Sequence, residues 1–264
     1  MPELPEVQTI INGLNSKIID KKINRIAEYR EGTVENSLPN MDYGKVKLVE
    51  RRGKYIIIKT TADCKIVIHL RMTGKLIFEV DSDKQSKYCR AEIFFSDGSR
   101  LIFDDVRTFG KIQIMKKNQA VPALEKLGAE PLSDQLNPEF LSKQLKNRKA
   151  PIRNLLLNQN IIAGLGNIYV LEILYRCKID PRKQADRLSL KQIEKIVEQT
   201  KIVLKEAIEK NGTTISDYRS VEDQSGQFQN FLRVYQKKKC KCGTEIKRIK
   251  MAGRSTYFCP SCQQ

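Results

Sequence analysis

Four of the seven cysteines crowd the C-terminal end of the chain as two close pairs, Cys240 with Cys242 and Cys259 with Cys262. Two such pairs, separated by sixteen residues, are typical of a closed tetrahedral thiolate site that holds a structural zinc. The upstream pair has one intervening residue where two are usual, which leaves its zinc geometry and affinity open. The other three lie in apolar contexts and are expected in the core: Cys64, Cys89 and Cys177.

The N-terminal stretch MPELPEV places two prolines and two glutamates ahead of a helical pattern. Pro5 and Glu6 suit an ordinary helix start, because the missing amide costs nothing there and the helix dipole favours negative charge. If Met1 is removed, Pro2 presents a secondary amine that titrates near neutrality and could attack a sugar C1′ to give an iminium ion. Glu3 could then move protons at the sugar. The stretch alone favours the helix start and leaves the reactive pair as the alternative.

His69 is the only histidine of the chain. One histidine without a cysteine partner or a pattern of acids cannot build a histidine-based triad or metal trio, so we expect a buried, hydrogen-bonded side chain. Acid–base chemistry would then fall to carboxylates or amines.

The composition indicates a polyanionic partner. The chain has 264 residues, a formal net charge of +17 and a sequence pI near 9.6, and a balance this basic usually marks a nucleic-acid partner. An anionic membrane surface is the alternative. No apolar run is long enough to span a bilayer and no signal-peptide pattern is present, so we expect a soluble cytoplasmic protein.

The pattern of apolar residues changes from strands to helices along the chain. A helix is expected from about Leu4 to Ile18, and the segment 22–115 reads mainly as strands, with a hairpin at Asp97-Gly98. From about residue 120 the periodicity is helical.

Several helix boundaries are marked by capping signals. Asn137-Pro138 is an N-cap, Ser189 with Gln192 is a capping box, and Asn211-Gly212 is a stop. Two apolar helical stretches are broken by the sequence AGLGN, which ends at Asn167. Its glycines could let backbone amides approach a phosphate, although the motif alone favours a tight interhelical turn.

Six motifs in order resemble the formamidopyrimidine-DNA glycosylase family, bacterial base-excision enzymes for oxidised purines: PELPEV, RRGKY, HLRMTGK, DVRTFG, AGLGNIY and AGRSTYFCPSCQ. They extend from Pro2 to Gln263. The resemblance implies an α+β fold with an N-terminal β-sandwich and flanking helices, a C-terminal helix-two-turn-helix domain and a β-hairpin zinc finger with one structural Zn²⁺. The expected boundaries are 1–130 for the catalytic sandwich, 131–220 for the DNA-binding helices, and 221–264 for the end of a lesion-recognition loop plus the zinc finger.

The resemblance also implies the activity. Such enzymes are bifunctional glycosylases and AP lyases that excise 8-oxoguanine and formamidopyrimidines from damaged double-stranded DNA, by a Schiff base and β,δ-elimination. Carried onto matching positions, Pro2 is the nucleophile, Glu3 the general acid/base, and Lys54 the lysine near the lesion and its phosphates. The alternative for Lys54 is an exposed cation on a strand. We expect a monomer in the cytoplasm, associated with the nucleoid.

The remaining implied residues contact DNA. Asn167 and Arg254 would grip phosphates around the extruded nucleotide. Met72, Arg107 and Phe109 resemble the family's intercalating set, since an apolar wedge and an aromatic ring can open a base step while arginine donates to the orphaned base. A core Met and Phe are the alternative. The segment 213–229 has the composition of a loop and is expected to set lesion specificity.

The chain departs from the family pattern at several places, among them Asn158, where Asp is common, and Ser255, where Gly is usual. Two alternative functions remain open. One is an oxidised-pyrimidine glycosylase of the endonuclease VIII type, which Leu4 and the Met72, Arg107 and Phe109 set disfavour. The other is a non-catalytic zinc-containing DNA-binding protein, which basicity alone would fit equally well.

Overall fold

The computed structural model describes residues 1–39, 41–80, 86–214, 221 and 225–264. These residues form two units, Met1–Val121 with Lys210–Gln227 and Pro122–Glu209 with Phe228–Gln264. Among the described ranges, none of the helices combines the length and apolar character that crossing a bilayer requires. Of the predicted specificity segment, residues 215–220 and 222–224 lie outside the described residues.

The first unit begins with helix α1 (Leu4–Lys17), which confirms the predicted helix. It continues with strands β1 (Ile23–Glu28), β2 (Val34–Asn36), β3 (Val46–Arg52), β4 (Tyr55–Thr60), β5 (Cys64–His69), β6 (Lys75–Glu79), β7 (Cys89–Phe95), β8 (Arg100–Asp104) and β9 (Lys111–Lys116). One sheet has the order β1-β7-β8-β6 and the other β2-β9-β5-β4-β3. The predicted hairpin at Asp97-Gly98 joins the antiparallel strands β7 and β8.

Both sheets of this unit and helix α1 contribute to one apolar core. Val7, Ile10 and Leu14 of α1 pack in the same cluster as Ile56 of β4 and Ile93 of β7. Burial of each large aliphatic side chain contributes about 1.5–3 kcal/mol to the stability of the fold. The core therefore holds the strand ends and turns in place.

The second unit is helical, as the change of periodicity predicts. Its α-helices are α2 (Pro122–Glu125), α3 (Pro138–Leu145), α4 (Ile152–Leu156), α5 (Asn167–Cys177) and α6 (Leu190–Glu209), with short 3-10 helices at Ala185–Arg187 and Phe228–Phe231. The Asn137 side chain caps α3 by accepting from the Phe140 amide at 2.8 Å. Ser189 and Gln192 exchange the two hydrogen bonds of the predicted capping box.

The chain ends in an antiparallel hairpin of β10 (Lys247–Met251) and β11 (Arg254–Phe258). Close to it lies a small apolar cluster of Leu171, Val234, Cys240, Ile246 and Cys259. A module this small cannot bury enough apolar surface to be stable without a metal or another cross-link. The α+β class, the β-rich first half, the helical second half and the terminal hairpin agree with the sequence prediction.

Candidate functional site

Pro2 and Glu3 stand directly ahead of helix α1 and are both buried, whereas Met1 is 47% exposed. Glu3 is the N-cap residue of α1, and its amide donates to Glu6 Oε2 at 2.8 Å. The helix therefore fixes the direction of the two residues that precede it. The pattern MPELPEV favoured a simple helix start, and the structure adds that the residues before the helix are held in one place.

Glu6 does more than begin a helix. Its side chain is 2% exposed, and Oε1 accepts from the Thr213 amide at 2.7 Å while Oε2 accepts from Glu3. A Cβ on Gly212 would lie 2.8 Å from Glu6 Oε1, so only glycine allows this approach. One carboxylate thus links the N-terminal residues to the chain that enters the predicted specificity segment.

Lys54 lies in the turn between β3 and β4 and is 7% exposed. The alternative interpretation of Lys54 as an exposed strand cation is therefore wrong. His69, at the end of β5, is half-buried, and its Nδ1 accepts from the Arg71 amide at 3.0 Å. Burial lowers the pKa of His69 to about 3, and the charges of Arg71 and Lys54 add to this effect. The imidazole is neutral at pH 7, with its proton on Nε2 because Nδ1 is an acceptor.

Met72, Arg107 and Phe109 are exposed on two loops, the β5–β6 loop (residues 70–74) and the β8–β9 loop (residues 105–110). Met72 is 41% and Phe109 53% exposed. The Arg107 guanidinium carbon lies 5.1 Å from the centroid of the Phe109 ring. The alternative of a core Met and a core Phe is therefore wrong, because core side chains are buried and these two are not.

Asp105 ties these two loops together. It is 1% exposed. Its carboxylate accepts from the Thr73 hydroxyl, from the Arg107 amide at 3.2 Å and from the Gly110 amide at 2.8 Å. The Arg107 amide also donates to Thr73 Oγ1 at 3.0 Å. Because hydrogen bonds to an ionised acceptor are the strong ones, Asp105 fixes the backbone that carries Met72, Arg107 and Phe109.

Glycines close both loops for steric reasons. A Cβ on Gly74 would lie 2.5 Å from Leu70 O, and a Cβ on Gly110 would lie 2.4 Å from the Phe103 ring. Neither approach is possible for another residue without moving backbone or core. This explains physically why the motifs HLRMTG and DVRTFG each end in glycine.

In the second unit Asn167 is the first residue of α5, after the Gly164 turn at φ 85°. Its side-chain nitrogen donates to Ser255 O at 2.9 Å, which ties the helix start to strand β11 beside the exposed Arg254. The N-terminus of a helix carries the positive end of the helix dipole, which favours an anion nearby. Asn167 and Arg254 are thus brought into one region of the second unit.

Arg153 lies beneath this region and is 0% exposed. Its guanidinium donates to Asn167 Oδ1 at 2.6 Å and to Met251 O at 3.1 Å. Burial lowers the pKa of Arg153, and the nearby charge of Arg254 lowers it further. A buried cation normally has a carboxylate partner, and no ion pair of Arg153 occurs within the described ranges. Arg153 and Arg254 therefore give this region two neighbouring positive charges.

The four terminal cysteines form one cluster with all Sγ atoms within 4.8 Å of one another. Cys240 Sγ and Cys262 Sγ are 3.8 Å apart, and Cys242 Sγ and Cys259 Sγ are 3.6 Å apart. A tetrahedral zinc with Zn–S bonds of about 2.3 Å requires sulfur separations of about 3.8 Å. The residues fit one structural Zn²⁺, and both cysteines of the shortened Cys240-x-Cys242 pair belong to the cluster.

Family models match most of the chain. The N-terminal domain of formamidopyrimidine-DNA glycosylase matches residues 1–112, its H2TH domain matches 127–219, and the zinc finger found in FPG and IleRS matches 237–264. A formamidopyrimidine-DNA glycosylase of Wolbachia pipientis is 40% identical over 270 residues, with all of both chains covered. The chain belongs to the formamidopyrimidine-DNA glycosylase family. It is a DNA-repair glycosylase with a zinc finger, as the six motifs predicted.

Other relatives and solved structures agree with this membership. The formamidopyrimidine-DNA glycosylase of Ligilactobacillus salivarius is 38% identical over 272 residues and covers 100% of this chain and 99% of its own. A Lactococcus lactis Fpg mutant in complex with DNA containing Fapy-dG has a TM-score of 0.92 at 34% identity, with complete coverage of both chains. A complex of Lactococcus lactis Fpg with abasic-site DNA has a TM-score of 0.91 and covers 99% of each chain.

Four residues that position parts of this glycosylase were not predicted from the sequence. Glu172 of α5 is buried and accepts from the amides of Arg233, Val234 and Tyr235, which precede the zinc finger. Burial raises its pKa although these amides oppose the effect. An acid inside the apolar run IYVLEILY was the available signal, because a charge on a buried helix face needs partners. The others are Glu6, Asp105 and Arg153.

Proposed function

We propose that this glycosylase excises oxidised purines, 8-oxoguanine and formamidopyrimidines, from double-stranded DNA and then cleaves the abasic strand as a lyase. The observation that carries the proposal is the exposed Met72, Arg107 and Phe109 set on two loops that share Asp105. Extruding a base costs a few kcal/mol. An exposed apolar wedge, an aromatic ring and a donor-rich guanidinium can together replace the lost stacking and pairing.

Pro2 is the proposed nucleophile. Removal of the exposed Met1 frees its secondary amine, whose nitrogen attacks C1′ of the damaged nucleotide. The glycosidic bond breaks, and the base leaves with the electron pair and a proton. Opening of the sugar ring gives an iminium ion, which acts as an electron sink.

Glu3 is the proposed general acid/base. Loss of a C2′ proton from the iminium expels the 3′ phosphate, and a second elimination expels the 5′ phosphate. Water then hydrolyses the iminium and returns Pro2 as a free amine. A positioned carboxyl group contributes typically 10²–10⁴-fold to such proton transfers, and Glu3 stands beside Pro2 on a backbone fixed by Glu6.

Lys54, Asn167 and Arg254 are proposed to bind phosphates. Lys54 is a buried cation of the first unit, and Asn167 and Arg254 lie in one region of the second unit above Arg153. The complexes of Lactococcus lactis Fpg with lesion-containing and abasic DNA support a DNA partner for this chain. The net charge of +17 would attract that partner at long range. We further propose a monomer that works at the nucleoid in the cytoplasm, with the predicted functional segments 1–130, 131–220 and 221–264.

Borohydride trapping tests the reaction. Wild type should form a covalent adduct with a duplex that carries 8-oxoguanine opposite C, and Pro2→Gly should lose most of it because a primary amine on a flexible residue replaces the fixed secondary amine. Pro5→Ala is the matched control, since it removes the other proline of PELPEV without touching the amine, and it should still trap. Mass spectrometry should find the protein without Met1.

The same assay separates the alternatives. Trapping on a duplex with an oxidised pyrimidine but not with 8-oxoguanine would select the endonuclease VIII type of activity. DNA binding without an adduct on either lesion would leave a non-catalytic DNA-binding protein and overturn the proposal, as would retention of Met1 in the active protein.

A further inference from the structure

The zinc cluster receives a hydrogen bond from helix α5. Tyr175 lies two turns after Asn167 on that helix, and its hydroxyl is 3.1 Å from Cys240 Sγ. In a zinc-bound cluster Cys240 is a thiolate and has no proton to give, so the tyrosine must be the donor. Tyr175 also packs against the small apolar cluster that contains Cys240 and Cys259, which fixes the direction of its ring.

The cysteines of the cluster differ in where their hydrogen-bond donors come from. The amides of Ser261 and Cys262 donate to Cys259 Sγ, so the downstream pair stabilises its own first thiolate. In the upstream pair the Thr244 hydroxyl lies 3.3 Å from Cys242 Sγ. Within the described part of the chain, Cys240 Sγ has the Tyr175 hydroxyl as its hydrogen-bond donor. The Thr244 amide also donates to Cys242 Sγ, so Cys242 and Cys259 have donors from nearby backbone, whereas the donor to Cys240 comes from helix α5.

The electrostatics of the cluster make these donors useful. Four thiolates around one Zn²⁺ leave a net charge of about −2 by formal counting. Cys240 and Cys259 are buried, while Cys242 is exposed, so the charge on Cys240 is the harder one to solvate with water. A hydrogen bond from a hydroxyl group to the Cys240 sulfur disperses part of this charge where water does not reach.

We propose that Tyr175 is a positioning residue for the zinc, a donor to the Cys240 thiolate that compensates for the shortened pair and ties the metal to the helix that begins at Asn167. The residue does not bind the metal. It sets the affinity of the site and the orientation of the Cys240 side chain, as partners of metal ligands commonly do. This inference concerns the metal alone and stands whether or not the proposed reaction is correct.

The test compares Tyr175→Phe with wild type in the full-length protein, with Tyr257→Phe as the matched control. Tyr257 packs against the same cluster, and no hydrogen bond of its hydroxyl occurs among the described residues. Zinc affinity is measured by competition with a chromophoric chelator. Loss of a partner to a metal ligand typically weakens affinity about 10–100-fold, so Tyr175→Phe should fall in this range and Tyr257→Phe should stay within about twofold of wild type.

Cobalt substitution supplies a second readout that packing alone does not move. Without the hydroxyl, the Cys240 sulfur is more electron-rich, so the thiolate-to-Co²⁺ charge-transfer band should shift to lower energy in Tyr175→Phe and not in Tyr257→Phe. Thermal unfolding of metal-free and zinc-loaded protein completes the comparison. A positioning role lowers the stability of the zinc-loaded form selectively, whereas a packing role lowers both forms. Unchanged affinity and an unchanged band, or an equal loss in both forms, would overturn the proposal.

Discussion

The β5–β6 and β8–β9 loops of the first unit and the terminal hairpin of the second unit both present exposed side chains on a fixed backbone, yet they are held by different means. The two loops rest on an extensive apolar core and are tied by one buried carboxylate, Asp105. The hairpin has a far smaller apolar cluster and depends on four cysteines and the buried Arg153. Hydrogen bonds therefore suffice to position a site where an apolar core already supplies stability, and a metal supplies that stability where the core is too small.

The largest effect should follow from removal of a zinc ligand. Cys259→Ser should lose the metal and unfold the hairpin, because structural zinc contributes about 10–16 kcal/mol in zinc-finger peptides. Arg254 then loses its position, and Asn167 loses its hydrogen bond to Ser255 O of the hairpin. Since hydrogen bonds to charged groups contribute about 1.5–3 kcal/mol each, loss of two phosphate contacts should weaken DNA binding by about 100-fold or more in fluorescence anisotropy.

Cys177→Ser is the matched control, because Cys177 is a buried cysteine of α5 outside the cluster. It should retain one zinc by metal analysis and bind DNA normally. Limited proteolysis of Cys259→Ser should remove the C-terminal end and spare a fragment that contains the first unit. Normal zinc content or normal DNA affinity in Cys259→Ser would contradict the dependence of the hairpin on the metal.

The next effect should come from Asp105→Asn. The amide keeps one acceptor but turns a donor towards an N–H or hydroxyl group, so at least one hydrogen bond worth about 1.5–3 kcal/mol is lost. Excision of 8-oxoguanine from duplex DNA in single turnovers should fall about 10–100-fold. Trapping on an abasic site in single-stranded DNA, where no stack has to be opened, should change little.

Asp104→Asn is the neighbouring control, since Asp104 is also buried but bonds to Ser86 outside both loops. The rate at which Asp104→Asn excises 8-oxoguanine from duplex DNA should remain closer to the wild-type rate than that of Asp105→Asn. An equal loss on the duplex and on the single strand would mean that Asp105 supports the reaction itself instead of the two loops.

A smaller effect is expected from Arg153→Met. Asn167 Oδ1 and Met251 O lose their donor, at about 1–3 kcal/mol each, but a costly buried charge disappears as well. The melting temperature should therefore move by only a few degrees, while DNA affinity falls about tenfold because Asn167 and Arg254 are no longer aligned. Arg153→Lys keeps the charge without the planar guanidinium. Its DNA affinity should lie between those of wild type and Arg153→Met. Wild-type affinity in Arg153→Met would show that the zinc cluster alone positions the hairpin.

The smallest effect concerns pH and His69. The folded-state pKa is lowered to about 3 by burial, whereas the unfolded chain titrates near its ordinary value of about 6.5. The unfolded state therefore binds the extra proton first, and the stability that neutral His69 contributes is lost as pH falls from about 6.5 towards 3.

Urea unfolding at pH 7 and pH 5 should measure this loss. Because His69 is half-buried and solvent screens part of the effect, wild type should lose about 1 kcal/mol more than His69→Asn over this interval. An equal pH response of the two proteins would contradict a lowered pKa for His69.

Much of the site could be predicted from the sequence because its signals are local. The spacing within each cysteine pair and the caps at Asn137 and Ser189 each depend on residues a few positions away. The stretch MPELPEV allowed a reactive role for Pro2 and Glu3 but favoured a simple helix start. The six motifs in order made the reactive role the leading hypothesis. Asn158 keeps a local role, since its Oδ1 accepts from the Asn160 amide at 3.0 Å.

The secondary-structure elements and the zinc ligands were predictable from the sequence, since periodicity, capping and cysteine spacing are local, whereas the exposure of Met72 and Phe109 became clear in the structure. Which buried charges organise these elements depends on contacts between residues that are far apart in the chain. Glu6 meets the Thr213 amide 207 positions away, and Arg153 meets Met251 O 98 positions away. Such partners are chosen when burial forces a charged group to find the donors or acceptors that the whole fold brings to it, and no local pattern of residues records that choice.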